Sequence, residues 1–211
     1  MSFKISVGLD LDHLEDLEKY YNLIDETKEM VFFYKINPAF FLNDREKIRK
    51  VSDYIKFCNC NWVYDGKLGD VPHTNKKYSE YLYEYLNADG ATLNPYLGED
   101  ALKPFFEYKN KLNFILCRTT NQNSEIVQDK IYGVVYNIAN NLKSGLIIPS
   151  NKKGYLEDAL FYCPDSLILS PGIGSQGGII NNSSRNIVYS VSRSIINSKK
   201  PKEEMRKYVN C

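Results

Sequence analysis

The stretch YDGKLGDVPHT, residues 64–74, sets Asp65, Lys67 and Asp70 at an acid-x-base-x-x-acid spacing directly after the apolar Trp62 and Val63, and closes on Thr74. Charge of alternating sign at the end of an apolar run is how a strand delivers side chains to a site. Side chains two apart on a strand share a face, so Asp65 and Lys67 point the same way. A lysine kept charged by a neighbouring carboxylate can stabilise negative charge developing on a substrate, and can then donate a proton as general acid. Asp70 stands past Gly69, beyond the strand end, where the chain turns towards a helix near Thr74. That placement suits contact with a neighbouring subunit better than with its own strand's site.

Other apolar runs end in the same manner. Asp10 follows KISVGL, Lys35 and Asn37 close VFFYKIN, Asn94 follows GATL, Thr119 and Thr120 follow NFILCR, and Arg193 closes NIVYSVSR. Singly, each has an ordinary use: an aspartate after a strand caps a turn or a helix, and a lysine at a strand end reaches for solvent. Jointly, Lys35, Asp65 and Lys67 bring three charges into one mouth, where desolvation is costly unless they are paired and used. A second motif, SPGIGSQGG at residues 170–178, matches the letters of the dinucleotide fingerprint through Gly172, Gly174 and Gly177. That fingerprint requires a βαβ unit with an acidic residue about twenty positions on, whereas here the chain reaches another strand ending in Arg193. Nicotinamide dinucleotide is therefore disfavoured. Glycine-rich backbone together with a permanently charged guanidinium reads instead as a phosphate site.

These residues need a scaffold that brings many strand ends to one place. Eight β-rich runs recur along the chain, at residues 4–10, 31–37, 61–67, 90–96, 113–119, 144–150, 166–172 and 186–193. Segments with helical spacing and charged faces lie between most of them, among them LEDLEKYYNLIDETKEM, DREKIRKVSDYIKF and SEIVQDKIYGVVYNIANNL. Alternating strand and helix predicts a parallel sheet with crossover helices. Eight such units without a Pro/Gly/Ser-rich linker predict a (β/α)8 barrel, a TIM barrel in a single compact domain over residues 1–211, preferred to a doubly wound open sheet. In such a barrel the active site lies at the C-terminal ends of the strands, where the polar residues above fall, and phosphate commonly binds after strands seven and eight.

Composition narrows the partner. The 211 residues carry 27 Lys plus Arg against 26 Asp plus Glu, which gives no basic field for nucleic acid. No apolar run reaches membrane-spanning length, and the partner is expected to be a small molecule. The cysteines, Cys58, Cys60, Cys117, Cys163 and Cys211, are odd in number and scattered, and the sequence opens MSFKISVGLDLD with no apolar leader. Reduced thiols in a cytoplasm are expected. Cys58 and Cys60 lack a matching second pair, and His13 and His73 are the only histidines, so no metal site is expected.

In order along the chain, LDLD with Asp10, YKINPAFF with Lys35, DGKLGDVPHT, LNPYLGED, CRTTN and SPGIGSQGG followed by Arg193 resemble orotidine 5′-phosphate decarboxylases, from Asp10 to Arg193. The Asp-x-Lys-x-x-Asp spacing is shared with related barrels, 3-keto-gulonate 6-phosphate decarboxylase and hexulose-6-phosphate synthase. Lys35 and Gln176 separate the orotidylate enzyme from them. The resemblance implies conversion of orotidine 5′-monophosphate to UMP and CO2, without metal or organic cofactor, in a cytoplasmic homodimer with shared active sites. It implies that Asp10 holds the ribose, Lys35 hydrogen-bonds the ribose region, Asp65 lies beside the substrate carboxylate and Lys67 protonates C6. Asp70, Val71 and Thr74 would come from the second subunit. Asn94 joins the substrate-binding set, Thr120 reads the pyrimidine edge, and Gln176, Ser192 and Arg193 meet the phosphate. Val71, Leu68, Thr120 and Ser192 depart from the common pattern, which has isoleucine, arginine, serine and glycine there. Ser192 leaves open which group donates the backbone hydrogen bond at its position. Two other readings stay in view: a Schiff-base aldolase, against which Asp65 and Asp70 argue by keeping lysines charged, and a non-catalytic phosphosugar-binding barrel, which has no need of the Lys35, Asp65, Lys67 and Asp70 set.

Overall fold

The computed structural model describes residues 3–152, 154–174, 177–180 and 184–210. Its strands are β1 (Lys4–Gly8), β2 (Val31–Ile36), β3 (Trp62–Leu68), β4 (Gly90–Leu93), β5 (Phe114–Leu116), β6 (Gly145–Ile147), β7 (Ile168–Ser170) and β8 (Ile187–Val191). All pair in parallel with their sequence neighbours, and β1 pairs with β8 to close the barrel. Except for β3, which keeps seven residues, the strands are shorter than the apolar runs that predict them. GATLNPY, for instance, gives β4 and then a 3-10 turn over Pro95–Leu97, since Pro95 cannot donate to a ladder.

Period-two alternation sorts each strand into an inner and an outer face. Phe33, Val63, Phe114, Ile147, Leu169 and Val188 pack together as a buried inner core. Two residues further along three of these strands come Lys35, Asp65 and Ser190, so a polar layer sits on an apolar floor. The other face of the strands, with Tyr34, Ile36, Trp62, Ala91 and Tyr189, joins the larger core shared with the helices.

The helices are α1 (Leu17–Thr27), α2 (Arg45–Phe57), α3 (Pro72–Glu80), α4 (Glu99–Phe106), α5 (Glu125–Leu142), α6 (Tyr155–Tyr162), α7 (Arg193–Ile196) and α8 (Pro201–Val209). Asp44 caps α2 by accepting from Lys47 N, and Ile48, Val51 and Ile55 turn inward at helical spacing. Among the described residues no helix follows β7, where the eightfold alternation predicts one. The connection PGIGSQGGIINNSSRN has no apolar stripe that a helix could bury, and Gly172, Gly174 and Gly177 all adopt positive φ. Among the described residues, no helix is long and apolar enough to cross a membrane.

Candidate active site

A cavity of about 660 Å³ opens at the C-terminal ends of the strands. Asp10, Lys35, Asp65, Lys67, Thr120 and Arg193 line it, over the apolar floor of Leu116, Ile147 and Leu169. At its centre is Asp65, only 7% exposed. Lys35 Nζ donates to Asp65 Oδ2 at 2.7 Å, and Lys67 Nζ donates to Asp65 Oδ1 at 2.7 Å. Thr92 Oγ1 donates to the same Oδ1 at 2.9 Å and itself accepts from Lys67 N at 2.9 Å. Burial pushes Asp65 up, but the charges and hydrogen bonds of Lys35 and Lys67 outweigh it and hold its carboxyl well below the usual carboxylate range. Burial pulls Lys35 down, yet Asp65 and Asp10 overcome it and its pKa ends above the ordinary lysine value. The carboxylate is ionised, Lys35 is charged, and both are fixed in place.

The two-apart spacing of Asp65 and Lys67 brings them together by a route other than regular alternation. Lys67 has φ 48°, in the left-handed region, and the pairing of β3 with β4 shifts register between Tyr64 and Leu68. The strand kinks at Lys67, and the Thr92 hydroxyl satisfies the amide that the kink removes from the ladder. The Lys67 side chain remains 44% exposed, facing the opening.

On the β1 side, the Ser192 hydroxyl lies 2.8 Å from both Gly8 O and Asp10 Oδ2. It stitches the β8 end to the β1 end and orients the Asp10 carboxylate. A methyl group at Gly8 would fall 2.8 Å from both Asp10 Oδ2 and Ser192 Oγ, so only glycine leaves room for the seam. The Ser192 hydroxyl thus serves Asp10, while Ser192 lines the same cavity as Arg193. Arg193 opens α7 and is exposed, and its guanidinium forms no hydrogen bond or ion pair among the described residues. Gln176 lies outside the described residues.

Four expected residues stand away from this mouth. Asn94 turns its Oδ1 back to accept from Tyr96 N at 3.1 Å, capping the 3-10 turn after β4. Alternation puts Asn94 on the face of Thr92, but β4 ends at Leu93, so Thr92 reaches Asp65 from a fully buried position and Asn94 takes the turn. Asp70 accepts from Val71 N at 2.7 Å, and Val71 is 41% exposed at the start of α3. Thr74 lines a separate groove of about 540 Å³ with Tyr64, Leu68, Tyr78 and Tyr81. Thr92 is the residue the sequence reading missed. Its signal was available: a hydroxyl in the last full pleat of a strand, two residues before the asparagine chosen in its place.

The family model described as orotidine 5'-phosphate decarboxylase / HUMPS family matches residues 4–208. An orotidine 5'-phosphate decarboxylase of Roseiflexus castenholzii is 31% identical, with 92% of this chain and 83% of the relative covered. One from Dehalococcoides mccartyi is 33% identical over 82% of this chain and 73% of its own length. Among solved structures, the orotidine 5'-monophosphate decarboxylase of Methanocaldococcus jannaschii complexed with the inhibitor BMP superposes with a TM-score of 0.88 at 25% identity, covering 100% of this chain and 98% of its own.

Proposed function

The chain belongs to the orotidine 5′-phosphate decarboxylase / HUMPS family, and from that premise we propose that it removes CO2 from orotidine 5′-monophosphate to give UMP, by direct decarboxylation needing no metal or organic cofactor. The observation that carries this reading is Asp65, buried and ionised between Lys35 and Lys67 at the foot of the cavity. Breaking the bond between C6 and the carboxylate leaves an electron pair on C6 of the pyrimidine, with no ordinary sink for it. Fixed positive charge already in place is what can lower that barrier, because nothing need reorganise as the negative charge appears. Lys67 supplies the charge and then donates an Nζ proton to C6, which forms the new C–H bond of UMP; a proton from solvent turns the resulting amine back into the ammonium. Asp65 holds the lysine in position and presents a negative charge towards the departing carboxylate.

The remaining roles follow the layout. Asp10, steered by Ser192, would hold the ribose, and the Arg193 guanidinium, unpaired among the described residues, would meet the phosphate. Phosphate binding far from the reacting bond can drive closure around the pyrimidine, so part of the rate enhancement belongs to Arg193. Asp70, Val71 and Thr74 lie off their own mouth, which supports a homodimer in which each subunit lends them to its partner's site. A Schiff-base mechanism requires a neutral amine, and the carboxylates beside Lys35 keep it protonated. The test is direct. Protein treated with a chelator is mixed with orotidine 5′-monophosphate and the ultraviolet absorbance is followed; turnover to UMP is expected, and absence of turnover refutes the reading.

A further inference from the structure

Past β5 the chain is fastened to α5 by a pair of ties at consecutive residues. The first is Arg118, which is buried, forms an ion pair with Asp129 and lies between the Tyr155 ring at 3.9 Å and the Tyr132 ring at 4.4 Å. The second is Gln128, one residue before Asp129, whose side-chain amide spans Thr119. Gln128 Oε1 accepts from Thr119 N at 2.9 Å, and Gln128 Nε2 donates to Thr119 Oγ1 at 2.8 Å.

Hydrogen-bond direction makes this second tie informative. A backbone N–H can only donate, so the oxygen of the Gln128 amide must face it, which turns the NH2 towards the Thr119 hydroxyl. That hydroxyl accepts there and sends its own proton to Asn121 Oδ1 at 2.5 Å. Thr119 lines the mouth but has no proton left for a ligand. Its neighbour Thr120 also lines the mouth, and its hydroxyl has no partner among the described residues. The loop after β7 passes close by, since the Thr120 methyl group would lie 3.3 Å from a β-carbon placed on Gly172.

We propose that Gln128 is a positioning residue for recognition of the pyrimidine: by pinning Thr119 through backbone and side chain, it presents the free Thr120 hydroxyl to the polar edge of the base. This rests on the decarboxylase reading above and extends it to a residue outside the cavity. The mechanism makes a distinctive demand, because an effect exerted through Thr120 must vanish when that hydroxyl is absent.

The probes are UMP, which carries the base, and ribose 5-phosphate, which does not, titrated by calorimetry. Gln128→Leu removes both hydrogen bonds at similar volume. It is expected to weaken UMP about tenfold, the scale of one or two hydrogen bonds, while ribose 5-phosphate binds as to wild type. Gln128→Glu keeps the acceptor for Thr119 N and loses the donor, and should fall between. In a Thr120→Val background, Gln128→Leu should cause no further loss. Wild-type UMP binding in Gln128→Leu overturns the proposal, as do equal losses for the two ligands and additive losses in the double variant. The wild-type arm separates the two levels: no UMP binding by the unaltered protein would overturn the decarboxylase reading, and this inference with it, whereas the outcomes just named would overturn this inference alone.

Discussion

Lys67 combines an uncommon backbone with the central part in the mechanism proposed above. A non-glycine residue at φ 48° stores about 1–3 kcal/mol of conformational strain, and such strain persists where the surroundings impose it. Here Thr92 and Asp65 do so, one on the amide and one on the ammonium. Because the proposed mechanism has the lysine both stabilise the carbanion and protonate it, Lys67→Ala should lower kcat by more than the roughly 10²–10⁴ of a proton-transfer role alone. Stopped-flow or steady-state turnover measures this, and a loss of tenfold or less would remove Lys67 from the mechanism. Asp65→Asn tests the other member. Taking the anion from between Lys35 and Lys67 leaves a buried cation without its partner, at a cost of about 3–5 kcal/mol near neutral pH. The pH dependence has a definite sign. Asp65 is depressed from 3.8, so its contribution is complete above that value and is lost as pH falls through the lower folded-state pKa. Urea denaturation should therefore show the gap between wild type and Asp65→Asn at full width above about pH 5 and narrowing below pH 4. A gap that does not change with pH would mean that Asp65 is not ionised in the folded protein.

At the scale of elements, the strand ends and the loops after them divide the work. The first three strands bring the charged groups, and the loops after β5, β7 and β8 bring Thr120, Gly172 and Arg193. Gly172, at φ 101°, is where the loop after β7 passes Thr120. An alanine there meets both a disfavoured backbone region and a 3.3 Å approach to the Thr120 methyl. Gly172→Ala should destabilise by more than about 1 kcal/mol and raise KM for the nucleotide, read from thermal melts and steady-state kinetics; unchanged values would show that the loop relaxes freely. The same elements show what was legible beforehand. Lys35 and Asp65 could be read because period two is a local rule, and each lies two residues beyond an inner-core position, Phe33 and Val63. Thr92 was passed over because the end of β4 depends on Pro95 and on where pairing with β3 stops. Gln128 could not be read, since its bond to Thr119 depends on the path of the turn between them. That no helix follows β7 among the described residues has a sequence cause, the absence of an apolar stripe, which a count of eight strands concealed.

For the molecule as a whole, subunit exchange tests whether sites are shared. Lys67→Ala and Asp70→Asn proteins, each nearly inactive alone, are allowed to exchange in equal amounts. If Asp70 serves the partner, half the dimers become mixed, each with one site carrying both defects and one carrying neither, so about a quarter of wild-type activity returns. Mixed dimers that form without regaining activity would place Asp70 in its own subunit's site. Closure of the barrel has a consequence for the order in which the molecule assembles. Seven strand pairings join sequence neighbours, while the eighth, β1 with β8, joins distant parts of the chain. The bond from Ser192 Oγ to Gly8 O spans 184 positions. Contacts at such separation bear the largest loop-closure entropy and form late. Asp10 and Arg193 sit on the two sides of that seam, so the contacts proposed for ribose and phosphate would come into being with the clasp and not before. During refolding from denaturant, helical circular dichroism should return ahead of catalytic activity, with the lag set by the time the ring takes to close.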